Sequence, residues 1–148
     1  MRPEDWRTWR DLRLEGLRDT PIGFGRTYEE ERQRPDESWQ TGGTRPGLRV
    51  LARAGGRAVG MAGVFRDDTD LPVVYAVYVT PAARGQGVLA ALVDVLAAWA
   101  APDALVLDVH EDNARARRAY EKLGFTLTGG TTPGAGIDGR DLQRMRRS

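Results

Sequence analysis

The chain has 148 residues, 41% of them hydrophobic and 29% charged, and its formal net charge is +1. That length suits a single domain over 1–148 with a real core, and the near-balanced charge points to no nucleic-acid partner. There is no cysteine and one histidine, which excludes a thiolate nucleophile, a disulfide framework and a multi-histidine or cysteine-ligated metal site, so no metal is expected.

Pro3 suits a first helical turn, and Trp6, Trp9, Leu12 and Leu17 follow at near-helical spacing. The pattern predicts an amphipathic helix over 3–17. Thr27 with Glu30 is a capping-box pair, predicting a short helix over 28–34 that ends at Pro35. Asp36 caps one more turn carrying Trp39. Loops are expected at Gly42-Gly43 and Pro46-Gly47. Strands follow over 48–53 and 58–65, joined by a hairpin at Ala54–Arg57, and a turn at 67–71 leads to a strand over 73–79. Three strands with short links make an antiparallel meander.

The order then changes to a helix over 86–100, with Val88, Leu92, Val93, Leu96 and Trp99 as its buried stripe. A strand over 104–109 follows and, because a helix intervenes, is expected to run parallel to 73–79. Asn113 caps a helix over 114–122, and Gly124 fits its left-handed stop. A strand at 126–128, a glycine-rich loop at 129–139 and a strand at 141–146 complete an α/β chain with a mixed sheet. The apolar stretch 88–101 is interrupted by Asp94 and is too short to span a bilayer, and the charged start lacks a signal-peptide core. A cytoplasmic protein with no membrane partner is expected.

Two features carry chemistry. Arg84-Gly85-Gln86-Gly87 lies where a strand ends and a helix begins. Glycines there let the backbone approach a ligand, and the N–H groups and dipole of the first helical turn suit an anion. The same glycines equally suit a tight turn that binds nothing. The loop is neither a Walker A sequence nor a dinucleotide fingerprint. Asn113 and Tyr120 are seven residues apart, so two helical turns bring both toward one side. A tyrosine hydroxyl is a reasonable general acid toward a departing thiolate. The plain alternative is a cap and a core aromatic.

In this order and spacing the run from Val73 to Phe125 resembles the GNAT family of N-acetyltransferases. The loop is similar to that family's coenzyme A pyrophosphate signature, and Asn113-x-x-Ala116-x-x-x-Tyr120-x-Lys122-x-Gly124-Phe125 to its following helix. The resemblance implies acetyl-CoA as co-substrate, lying between strands 73–79 and 104–109, which splay apart in the family. It implies that main-chain groups of Val77, Tyr78 and Val79 pair with the pantetheine arm. The N–H groups of Gly85, Gln86, Gly87, Val88, Leu89 and Ala90, with the Arg84 side chain, would hold the pyrophosphate. Asn113 would fix the pantetheine or the tyrosine, and Tyr120 would protonate the leaving thiolate. Leu89 departs from the family, which usually has Gly or Ala there.

Asp108 matches the position of a carboxylate that serves as base in some relatives. His110, alone at a strand end, is expected to be exposed. The family's acceptor site corresponds here to 20–40 and 129–139. Glu29, Glu30 and Glu31 suit either a cationic amine or the helix dipole, and Phe24, Tyr28 and Trp39 either line a pocket or belong to the core. The acceptor is an amine on a small molecule or a protein, and a homodimer stays open. The alternative is a catalytically silent acetyl-CoA or CoA sensor, or a partner subunit, of the same fold.

Overall fold

The computed structural model describes residues 1–42 and 45–148. The expected loop at Gly42-Gly43 therefore falls partly outside the described residues. The class is α/β, as expected. A 3-10 turn at Pro3–Asp5 leads into α1 (Trp6–Asp19), and two short helices follow, α2 (Tyr28–Arg32) and α3 (Asp36–Thr41). Strands β1 (Gly47–Ala54), β2 (Arg57–Arg66) and β3 (Pro72–Val79) form the antiparallel meander. Then come α4 (Val88–Ala100), β4 (Leu105–His110), α5 (Ala114–Lys122), β5 (Thr126–Thr132) and β6 (Leu142–Arg147). The six strands make one sheet in the order β1-β2-β3-β4-β6-β5, with β3 and β4 parallel. No described helix is long and apolar enough to cross a membrane.

Two expected boundaries move for identifiable reasons. The helix expected from 86 begins at Val88, because Gly87 sits at φ +81° and cannot take a helical turn. The strand expected to end at 128 runs on as β5 to Thr132, through a register shift between Leu127 and Thr131 where Gly129 has φ +84°. That irregularity absorbs part of the segment expected to be loop.

The sheet is covered on both faces. Leu92, Val93 and Leu96 of α4 pack with Val64, Val74, Leu107, Phe125 and Met145 on one side, joined by Ala116, Tyr120 and Leu123 of the α5 region. Trp6, Trp9, Leu12 and Leu17 of α1 pack with Trp39, Met61, Ala76 and Tyr78 on the other. Alternation along β3 breaks in the middle. Met61 pairs with Tyr78 and Gly63 with Tyr75, so Ala76 and Val77 together oppose Ala62. This is a β-bulge, with Ala76 at φ +53°. The extra residue changes which side chain faces which layer. Val74, Val77 and Val79 belong to the α4 layer, while Ala76 and Tyr78 belong to the α1 layer. Without the bulge, Val74 and Tyr78 would share a face. Gly63 leaves room for the neighbouring ring, since a Cβ there would lie 2.5 Å from Tyr75.

The α1 layer also buries a charge. The Glu31 side chain is 1% exposed, with Arg34 at 2.8 Å and Arg13 at 3.2 Å. The acids at the start of α2 thus divide their roles. Glu30 closes the expected capping box with Thr27, and Glu31 turns inward. Burial pushes the Glu31 carboxyl up, but hydrogen bonds and charge from Arg34 and Arg13 outweigh it and hold the group below its usual value. A depressed carboxyl contributes stability above its unfolded pKa and loses it as pH falls through the folded one. Glu31→Ala should cost about 3–5 kcal/mol in urea unfolding, because it strands the largely buried Arg13 guanidinium. Glu31→Gln should flatten the decline in stability on acidification below about pH 5 relative to the unaltered chain.

Candidate active site

β3 and β4 pair at one position, Val73 with Val106, and then part. Beyond it β3 keeps its partner β2, since Tyr78 pairs with Met61 and Val79 with Gly60. The opposite edge of Ala76–Val79 has no strand against it among the described residues, so its main-chain donors and acceptors lack a strand partner, and Val79 O instead accepts from Arg84 Nε at 3.1 Å. A cleft of about 480 Å³ occupies this gap, running between the Arg84–Gly87 loop and α5. Thr20, Gly23 and Phe24, from the segment after α1, line it from the other layer.

The loop is open toward the cleft. Gly85 and Gly87 have φ of +76° and +81°, and a Cβ on either would meet nothing within 4 Å. The glycines are therefore required by backbone conformation, which leaves the approach to the first turn of α4 unobstructed. No side chain caps that helix start, so its leading N–H groups face outward. Val88, Leu89 and Ala90 line the cleft with Gly85 and Gly87; Gln86 does not, and its amide donates to Ala82 O at 3.3 Å. Leu89 is partly buried against the α4-side core, which accommodates the bulk that departs from the family pattern.

Arg84 lines the cleft, but its guanidinium is engaged. Nη2 donates to Asp19 at 2.6 Å and Nε to Val79 O at 3.1 Å. The side chain braces the loop against β3 and the end of α1. The Arg84 and Thr20 hydrogen bonds hold the Asp19 carboxyl below the usual carboxylate range. Arg115, Arg118 and Lys122 of α5 also line the cleft, and no carboxylate residue does. The positions 115, 118 and 122 share one helix face, a signal available in the sequence but not read from it. With Arg84 paired to Asp19, the three α5 cations leave the cleft a positive excess that suits a polyanion.

Asn113 and Tyr120 both line the cleft, as their spacing predicts. Asn113 is also a cap, its Oδ1 accepting from the Ala116 N–H at 3.3 Å. The Tyr120 ring stacks edge-on with Phe125, centroids 5.7 Å apart. Its hydroxyl has no hydrogen-bond partner among the described residues, and burial pushes its pKa above the usual phenol value. Tyr78 lines the cleft, and its hydroxyl donates to Glu15 at 2.6 Å.

The two groups at β4 lie elsewhere. Asp108 does not line the cleft. It stands opposite Arg144 in the β4–β6 register, and each of its oxygens accepts from that guanidinium at 3.0 Å. A carboxylate held in a two-pronged ion pair is a poor proton acceptor, which speaks against the expected base. His110 is buried at 3% exposure, contrary to expectation. Its Nδ1 accepts from the Asp112 N–H at 3.1 Å, so Nε2 carries the proton toward Asp138 at 2.8 Å. That bond ties the late loop to the end of β4. His110, Asp112 and Asp138 offer ligand atoms within 4.8 Å of one another, with both histidine nitrogens engaged in these hydrogen bonds.

Of the aromatic residues after α1, Phe24 is both core and cleft wall. Trp39 is core and lines a different cavity. Tyr28 packs on the α1-side core and accepts from Arg18.

The acetyltransferase (GNAT) family model matches residues 6–125. The N-alpha-acetyltransferase RimI of Mycobacterium tuberculosis is 35% identical over 101 residues, covering 66% of this chain. The match spans 64% of that relative's own length. Among solved structures, ribosomal-protein-alanine N-acetyltransferase from Brucella melitensis superposes with a TM-score of 0.72 at 20% identity, covering 99% of this chain and 96% of its own. YncA from Salmonella typhimurium, solved with its cofactor acetyl-CoA, gives 0.73 at 22% identity, covering 99% and 89%. At these identities the structural likeness concerns the fold.

Gly87→Ala should cost roughly 1–2 kcal/mol in urea unfolding, since it forces a left-handed alanine without any steric clash.

Proposed function

The chain belongs to the acetyltransferase (GNAT) family, whose model matches residues 6–125, and from that premise we propose that it moves an acetyl group from acetyl-CoA to a primary amine by direct attack. The carrying observation is one continuous cleft. It joins an uncapped helix start, an unpaired strand edge and a tyrosine with an unpartnered hydroxyl, and the charged residues among its described lining are all cations. The residues fit a coenzyme A thioester. N–H groups from Gly85 to Ala90 suit the pyrophosphate, with the Arg84 charge beside them. Arg115, Arg118 and Lys122 suit the remaining phosphate charge. The free edge of Val77–Val79 suits the amides of the pantetheine arm, by the pairing that adds a strand to a sheet. Asn113 borders that arm.

In the transfer the acceptor nitrogen forms a bond to the thioester carbon and the C–S bond breaks. Tyr120 delivers its phenolic proton to the departing sulfur. A phenol is protonated at neutral pH, as a proton donor requires. Water at the acceptor side takes the proton from the amine, since Asp108 is committed to Arg144. Acceptor entry falls between Thr20–Phe24 and the late loop that His110 and Asp138 hold down. The relative acting on α-amines makes a polypeptide N-terminus the first acceptor to screen. The free Tyr120 hydroxyl favours turnover over a silent CoA sensor.

Acetyl-CoA should raise Tm in a thermal-shift assay. Tyr120→Phe should leave that shift intact and cut release of CoA thiol across an amine panel by about 10²–10⁴-fold. Unchanged turnover would remove Tyr120 as the acid, and no shift with acetyl-CoA would sink the whole reading.

A further inference from the structure

A second cavity, of about 640 Å³, lies between α1, α3 and strands β1–β3, and it shares no lining residue with the acetyl-CoA cleft. Arg13 lines this cavity, and its guanidinium lies 5.4 Å over the ring of Phe24, which lines the cleft. The two cavities approach each other at this pair.

The lining carries five guanidinium groups and one carboxylate. The carboxylate, Glu31, is already saturated. Oε1 faces Arg13 at 3.2 Å and Arg26 at 4.0 Å, and Oε2 faces Arg34 at 2.8 Å. Across the cavity, Arg49 donates to Trp39 O at 3.2 Å, which neutralises no charge. Arg45 pairs with Asp68, whose side chain is 88% exposed, so water screens that pair. The lining therefore holds an uncompensated positive excess inside a concave surface, where low-dielectric walls concentrate the field.

The wall also holds two buried donors without acceptors, neither with surface open to the cavity. Trp39 is 2% exposed and lines the cavity, yet its indole N–H has no partner among the described residues. The Nε of Arg13 is likewise buried without one. Both are donors, and buried donors are ordinarily matched by acceptors. The walls also offer the rings of Trp9, Phe65 and Tyr75. Phe65 and Tyr75 stand edge-to-face, centroids 5.5 Å apart, so a flat apolar group has rings to pack against.

We propose that this cavity is a second binding site, for a small organic oxyanion, carboxylate or phosphate, carried on a planar apolar body. Guanidinium forks match either oxyanion, and the rings take the body. The site is independent of the acetyl-CoA reading, and its test needs no turnover.

The test is two-dimensional NMR of the full chain at constant ionic strength, following the Trp39 indole N–H, assigned with Trp39→Phe. The probes are benzoate and phenyl phosphate, against uncharged benzamide and inorganic phosphate. At least one aryl anion should shift the Trp39 signal saturably, and the stronger of the two tells carboxylate from phosphate. Benzamide and inorganic phosphate should each bind at least about tenfold more weakly, lacking the charge or the ring. Arg26→Gln with Arg45→Gln removes two exposed charges with little risk to folding, and should weaken the aryl anion about tenfold. Arg49→Gln should do the same. The proposal is overturned by no saturable shift from either aryl anion, by equal binding of benzamide or inorganic phosphate, or by undiminished binding in both arginine variants.

Discussion

The parting of β3 from β4 after the Val73–Val106 pair is the constraint on which the rest of the molecule depends. A parallel pair that continued would satisfy its own backbone and leave nothing for a ligand. Here the sheet is interrupted in its middle, and hydrogen-bonding edges that a protein normally hides are turned into a cleft wall. The interruption is supported on each side. β2 holds β3, β6 holds β4 across six register pairs, and α4 and α1 clamp the two faces. The gap is therefore rigidly framed rather than a frayed edge.

The bulge at Ala76 works with the gap. By placing two residues against Ala62, it sends Val77 and Val79 toward α4 and Tyr78 toward α1. One strand thus supplies apolar side chains to the α4-side core and a tyrosine to the α1 layer. The unusual φ of Ala76 is a local strain of the kind that concentrates at functional positions.

Charge is sorted between the layers by the same frame. Carboxylates are consumed by cross-element pairs: Asp19 by Arg84 at the cleft, and Asp108 by Arg144 away from it. The cleft lining is left with cations. In the α1 layer one buried carboxylate faces several guanidinium groups, and the excess there is positive too. A near-neutral chain thereby holds two basic concavities, because its acids are either paired or spread over the outer surface.

Much of this was legible in the chain itself. Residues close in sequence determined the element order, the capping box at Thr27–Glu30, the open glycine turn before α4 and the Asn113–Tyr120 face, because backbone conformation and helical spacing are local properties. Other features needed the folded sheet. Asp108 matched a base position by sequence, but only the β4–β6 register sets Arg144 opposite it. His110 looked like an exposed strand end until the late loop brought Asp138 to it from 28 positions away. The bulge left no local signature, since its phase is set by packing of β3 against β2 and both helix layers. The second cavity likewise joins α1, α2, α3 and three strands. Where a residue's role depends on its own backbone, sequence was enough; where it depends on which distant charge or ring arrives beside it, tertiary structure decided.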